Sequence, residues 1–426
     1  MLTVSTGQLE GRIDFDIGKF LYYAFLFWSL FLLIDPFYFG YGAFRVTRDL
    51  GPLKYFGLVF GVAALFFILV GQAIYVPRAK QPPWRESLGH AWPILLFGVL
   101  VVVGSTIARA YLDITETFLP MGIGVIGFPL GVILFWLIGD HLLVARRFLQ
   151  SLLLVMPVVM GWVIAKRIEG GQAFHIEIFL FVPLAVYFFL SMERRWLAWA
   201  LLASAILLGV ASNKNTGYLV LLATLIHLAL IVMARWRGRK LSVKAMFVIY
   251  CIFALLLIGA VAVGYLLVNH EEFLPSGNVK ARSITYGAAI DRFLASPIWG
   301  TGFVDTTLVQ LTGLTVLGRD TLVSHSDILD VLSHGGLIGV SLFLIGLYRV
   351  FFRAIGVLKS PVKVEVKFLV HGLSIIIVGG VITAFFNSPL ISLPIGLLFW
   401  FSFGLLAAVA DYGRWTLQPT KPDGLP

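Results

Sequence analysis

Ser324-His-Ser-Asp-Ile-Leu-Asp-Val-Leu-Ser-His-Gly-Gly-Leu-Ile-Gly339 marks the place where a long polar loop, beginning at Asn269, gives way to an apolar run. Ser324 and Asp327 fit an S-x-x-D capping box, which makes Ser324 the N-cap and His325 the first helical residue. Ile328, Leu329 and Leu332 then share the face of His325 at i+3, i+4 and i+7, so the imidazole is expected to face packed protein. Unpaired backbone N–H groups at such a helix start favour anions such as phosphates. The bland alternative is a histidine that hydrogen-bonds a neighbouring loop. His334 falls on a different face of the same helix.

Outward from this stretch, the chain is apolar span after apolar span. Its 426 residues are 59% hydrophobic and 13% charged, with a mean hydropathy of +0.94. Soluble domains carry about a quarter charged residues, so composition alone implies an integral membrane protein. The apolar runs suit helices of about 20 residues and lack the alternation of a barrel. Cys251 is the single cysteine, which excludes an intrachain disulfide and a thiolate metal cluster. Met1 to Lys19 is mixed polar sequence, and the first apolar run ends without a small-residue cleavage site, so no cleavable leader is expected.

The spacing predicts an all-α, polytopic protein of about twelve spans, near 20–34, 55–76, 92–107, 119–138, 148–165, 174–190, 196–210, 216–234, 245–268, 334–348, 368–385 and 391–410. The whole chain, 1–426, reads as one transmembrane domain with a long extracytoplasmic loop over 269–333. Pro129, Pro157, Pro183 and Pro394 fall inside spans, which membrane helices tolerate when neighbours satisfy the freed carbonyls. The turn Phe386 to Leu390 is either a loop or a kink within one hairpin. Gly122-Ile-Gly-Val-Ile-Gly127 matches a dinucleotide fingerprint by letter, yet it lies in an apolar span and reads as helix-packing glycine.

Alternating the segments between two sides collects 21 of the 32 Lys and Arg on one of them. The largest groups there are Arg235, Arg237, Arg239, Lys240 and Lys244, and Arg349, Arg353, Lys359, Lys363 and Lys367. The positive-inside rule makes that side cytoplasmic, with both termini on it and the long loop outside. The net charge of +10 then reflects anionic lipid headgroups and needs no nucleic acid.

The outer side keeps a few cations. Lys214 sits in the polar turn Ser212-Asn-Lys-Asn-Thr-Gly217, as a headgroup anchor or a substrate contact. Arg282 aligns at helical spacing with Tyr286, Ala289 and Phe293, so it is expected to face the bundle and to need an anionic partner. That partner is either a carboxylate (Glu271, Glu272 or Asp305) or a phosphate. Arg292 lies off that stripe and Arg319 lies in a glycine-containing stretch. Both read as solvated or lipid-facing cations, or as further substrate contacts. Asp327 and Asp330 are attributed to capping and helix solvation, with Asp327 a possible alternative base. No P-loop, HExxH or G-x-S-x-G motif occurs.

Arg282, the turn Pro297-Ile-Trp-Gly-Thr-Gly302 and His325 to Gly339, in that order and on one side, resemble the bacterial O-antigen ligase and polymerase superfamily. Lys214 stands where that family usually has arginine, keeping the charge and losing the bidentate fork. The resemblance implies the fold of the C-type membrane glycosyltransferases and a multi-pass protein of the bacterial cytoplasmic membrane with its site facing the periplasm. It also implies a donor glycan on undecaprenyl pyrophosphate and a saccharide or lipid A core acceptor, with other polysaccharide assembly proteins as further partners.

In that chemistry Arg282, assisted by Lys214, offsets the leaving-group charge, and His325 takes the acceptor proton. No cofactor and no metal is expected. The lysine at 214 tips the reading slightly from ligase to repeat-unit polymerase. A lipid or polysaccharide transporter and a structural subunit of an export complex are the competing classes. The orientation has a direct check. Ser276→Cys and Thr315→Cys should react with impermeant thiol reagents in intact spheroplasts, while Ser242→Cys stays protected; labelling of Ser242→Cys alone would reverse the orientation.

Overall fold

The structure is a computed structural model that describes residues 84–113, 118–137, 141–169, 178–212, 215–236, 278–304, 308–310, 321–323 and 326–417, together with Tyr23 and Gly259. Its helices are α1 (Trp84–His90), α2 (Trp92–Tyr111), α3 (Leu119–Gly124), α4 (Gly127–Leu137), α5 (His141–Ile168), α6 (Ile178–Phe181), α7 (Leu184–Ser191), α8 (Arg195–Ala211), α9 (Asn215–Trp236), α10 (Asn278–Ala295), α11 (Asp327–Lys359), α12 (Val364–Phe386) and α13 (Leu393–Trp415). Two three-residue strands, β1 (Leu308–Gln310) and β2 (Thr321–Val323), pair antiparallel inside the long loop. The described fold is otherwise helical.

Among the described residues, seven segments are long and apolar enough to cross a membrane: α2, α3 with α4, α5, α9, α11, α12 and α13. Two shorter apolar helical stretches, Ile178–Ser191 and Arg195–Ala211, fall on two more of the anticipated spans. The spans anticipated at 20–34, 55–76 and 245–268 lie outside the described residues, apart from Tyr23 and Gly259. Proline marks several helix boundaries, as its missing N–H requires. Pro183 is the N-cap of α7, Pro394 stands in the first turn of α13, and Pro157 lies inside α5. The turn at 386–390 separates two helices, since Asn387 closes α12 in extended conformation and Ser392 opens α13.

Helix α13 is the most fully buried of the candidate spans. Its approach to α3 and α4 depends on glycines of both partners, Gly127 from the segment singled out in the sequence and Gly404 of α13 itself. A Cβ on Gly127 would strike Leu397 O, and one on Gly404 would strike Phe128 O. Membrane helices gain little from hydrophobic transfer between themselves, so backbones this close supply packing that bulkier residues would prevent. Basic residues tie the helices at other points. Arg353 of α11 holds Oδ1 of Asp411 on α13 through Nε at 3.0 Å, and Arg414 donates to Arg353 O at 3.3 Å. Arg146 reaches Glu365 at 3.4 Å, linking α5 to α12.

A substitution pair checks the glycine packing. Gly404→Ala should lower the melting temperature of the detergent-solubilised protein, because overpacking costs about 1–3 kcal/mol. Gly161→Ala on α5, which has open space around it, should leave it unchanged or raised. Equal melting for the two variants would remove backbone contact as the basis of the α4–α13 interface.

Candidate functional site: a broken helix and a helix end

Helix α11 contains one non-helical residue, Gly336, at φ 57° and ψ −159°. A regular helix would bond Leu337 N–H to Ser333 O and Ile338 N–H to His334 O. Here Leu337 N–H donates to Pro297 O at 2.8 Å and Ile338 N–H to Ile298 O at 3.2 Å. Ser333 O accepts from Thr301 N–H at 3.3 Å, and His334 O accepts from Phe303 N–H at 3.2 Å. The segment Pro297–Phe303 thus replaces two helical bonds with four bonds of its own. The cost of leaving such groups unpaired in an apolar setting is several kcal/mol each, so break and turn require one another.

Side chains have no room at the junction. A Cβ on Gly300 (φ 61°) would lie 2.5 Å from His334 C, and one on Gly336 would meet Ile298 O. Phe303 also takes a left-handed φ of 60°, a strained state that survives where surroundings over-determine it. Its ring is fully buried against Phe97 and Phe118.

His334 is buried beneath the same turn. Arg292 of α10 reaches its Nε2 at 2.6 Å, and Thr301 Oγ1 lies 2.7 Å from its Nδ1. A guanidinium can only donate, so Nε2 accepts and the ring proton belongs on Nδ1, where it is donated to the threonine oxygen. Phe118 packs on the imidazole with ring centroids 4.5 Å apart.

The second element of the site is the C-terminal end of α12, where the last carbonyls of a helix lack internal partners. Two separate segments meet them, and a third bonds to the side chain of Asn387. Ser326 Oγ donates to Ala384 O at 3.4 Å, Tyr286 Oη to Phe385 O at 3.5 Å, and Asp327 N–H to Asn387 O at 3.2 Å. Asn387 Nδ2 in turn donates to Thr216 Oγ1 at the start of α9 at 2.8 Å. The Asp327 carboxylate, fully buried, accepts from Leu390 N–H at 2.6 Å and fastens the α12–α13 turn.

Arg282 occupies the first half of α10, half-buried, on the stripe that continues through buried Tyr286 and Ala289 to Leu329 and Leu332 of α11. Burial raises the Tyr286 phenol above its usual range; the Arg282 charge opposes the rise and the Asp330 carboxyl adds to it. These groups are therefore within electrostatic reach of one another. The stripe read from helical spacing is the face that packs.

Several sequence readings change. Ser326 is the N-cap of α11, with Oγ accepting from Leu329 N–H at 3.3 Å. The cap is displaced by two residues from Ser324, and His325 precedes the helix instead of opening it. Two serines at alternate positions offer the same local chemistry, and Ser326 also donates to Ala384 O. Asp327 and Asp330 are buried rather than solvated. Arg292 is half-buried on His334, whose part in the site the helical-face argument missed because the partners, Arg292 and Thr301, come from segments outside the helix. His325, Lys214 and Arg319 lie outside the described residues, as do Glu271, Glu272 and Asp305. Thr216 stands two residues after Lys214 in the sequence, and Asp327 two after His325.

Residues 200–344, running from α8 through the Gly336 break to the middle of α11, match the family model described as O-Antigen ligase. That stretch, about a third of the chain, is similar to the O-antigen ligase family. No curated protein matches the chain. The ligase-family domain holds every sequence-predicted site residue and both partners of the loop–helix junction, while the α12 end that receives them lies beyond it. Together with seven apolar helices, the domain marks a multi-pass membrane protein with a glycosyltransferase or ligase type of function.

The junction yields its own check. Gly336→Ala forces a side chain into a left-handed position against Ile298 O, at about 1–3 kcal/mol for the backbone alone. Hydrogen exchange in nanodiscs should then accelerate at the amides of Thr301, Phe303, Leu337 and Ile338 together, with the amides of α13 unchanged. Parent-like protection at all four would mean that the turn and the break are not paired.

Proposed function

We propose that the protein transfers a glycan from a polyprenyl pyrophosphate donor to a saccharide hydroxyl on the outer face of the cytoplasmic membrane. The observation that carries this is the convergence at the end of α12. Thr216 follows Lys214, Tyr286 lies one turn from Arg282, and Ser326 and Asp327 follow His325. All of these neighbours bond to Ala384, Phe385 or Asn387. The three segments that carry the superfamily's motifs thus share one anchoring point.

In the reaction the acceptor oxygen forms a bond to the anomeric carbon as the bond from that carbon to the pyrophosphate oxygen breaks. The leaving group keeps the electron pair, and the acceptor proton passes to His325. Arg282 and Lys214 offset the charge that grows on the pyrophosphate, which is where fixed cations contribute most. Arg282 is half-buried on the face of α10 that packs on α11, close enough to Tyr286 to act on its phenol, and its guanidinium suits a pyrophosphate in the bidentate manner. Arg319 is a further candidate for the donor's anionic groups.

The test uses purified protein in nanodiscs with a lipid-pyrophosphate glycan and an acceptor, with and without chelator. His325→Ala should lose about 10²- to 10⁴-fold in transfer while still binding donor. Arg282→Lys should lose about ten- to a hundredfold despite keeping the charge, because the bidentate fork is gone. Parent rates for both variants would overturn the assignment, and inhibition of the parent by chelator would overturn metal independence. The glycan phenotype of a deletion separates the acceptors: long chains lost with single repeats still attached means a polymerase, and accumulated lipid-linked polymer means a ligase.

A further inference from the structure

Helix α10 is amphipathic and is not among the seven candidate spans, so its placement depends on what it touches. Two contacts stand out along it. Near its middle, Tyr286 and Ala289 pack against Leu329 and Leu332, with the Tyr286 hydroxyl on Phe385 O. Near its end, Arg292 bonds to His334, which bonds to Thr301 of the turn locked into the α11 break. A rod held at one point still pivots; a second point fixes its angle.

We infer that Arg292, acting through His334 and Thr301, is a positioning residue that sets the angle of α10 and thereby holds Arg282 at the donor pyrophosphate. The inference rests on the reading of Arg282 given above. At 1.5 Å per residue, Arg282 and Arg292 are about 15 Å apart along the helix, too far to grip one pyrophosphate. Arg292 therefore acts on the reaction through geometry. Tyr286 lies about 6 Å from Arg282 and about 9 Å from Arg292, so a 1.5 Å slip at the Arg292 end moves Arg282 by about 1 Å. A misplacement of that size costs on the order of a hundredfold in rate.

The His334 imidazole suits this role. It is buried, its Nε2 is turned to the guanidinium, and its Nδ1 proton is directed at a side chain of the turn that completes the broken helix. The break at Gly336 and the orientation of α10 are thereby one mechanical unit.

A double-mutant cycle in the nanodisc transfer assay decides the matter. Arg292→Ala should reduce turnover at saturating donor by about ten- to a hundredfold, whereas adding it to Arg282→Ala should change the rate by less than about twofold. Thr301→Val, which removes the oxygen at similar volume, should reproduce part of the loss, and Thr301→Ser should restore it. A second readout needs no activity. In a Cys251→Ala background, spin labels at exposed Leu294 and Leu344 should give a narrow distance distribution that broadens in Arg292→Ala and in Thr301→Val.

Losses that multiply in the double variant, an Arg292→Ala enzyme at the parent rate, or an unchanged spin-label distribution would each overturn the positioning role. Arg282→Ala at the parent rate would instead overturn the donor-site reading itself.

Discussion

A helix that stops bonding to itself inside a membrane protein has to be met by other backbone groups, and at Gly336 that requirement organises the molecule. Two amides and two carbonyls released by the break are taken up by Pro297, Ile298, Thr301 and Phe303. The exchange explains why the turn is compact and rich in glycine: side chains at Gly300 or Gly336 would occupy the space where the two backbones meet. Breaks of this kind are tolerated at membrane depth only where protein buries them, and Phe97, Phe118 and Phe303 supply that cover.

From this junction, order spreads in two directions. Along α11 it reaches Ser326 and Asp327, which join the end of α12 and the α12–α13 turn. Along α10 it reaches Arg292 and, beyond the Tyr286 contact, Arg282. The end of α12 is therefore approached by segments from three distant parts of the chain, each satisfying a carbonyl that the helix itself leaves open or bonding to Asn387. A helix end is well suited to this work, since its carbonyls are fixed in direction and need donors.

The same arrangement accounts for the distribution of charge. Cations that pair with carboxylates, such as Arg353 with Asp411 and Arg146 with Glu365, join helices to one another. Arg292 is used differently, bonding to the His334 imidazole and so joining α10 to α11.

Composition and periodicity alone determined that this is a helical membrane protein, where its spans fall in the described region, and that Arg282 shares a face with Tyr286 and Ala289. Those features depend on transfer free energy and on a 3.6-residue repeat, both of which are local in sequence. The motif order was equally legible, and so was the superfamily it resembles. The choice of Ser326 over Ser324 as the cap, the burial of Asp327 and Asp330, and the bond from Arg292 to His334 were decided by the tertiary structure. Each depends on a group far away in the chain: Ala384 O for Ser326, Leu390 N–H for Asp327, and the turn at 297–303 for His334. A helical wheel drawn through Gly336 also assigns faces across a point where the helix is interrupted. The sequence marks that point with two adjacent glycines, but only the partner backbone determines that the second of them, at φ 57°, is where the helix opens.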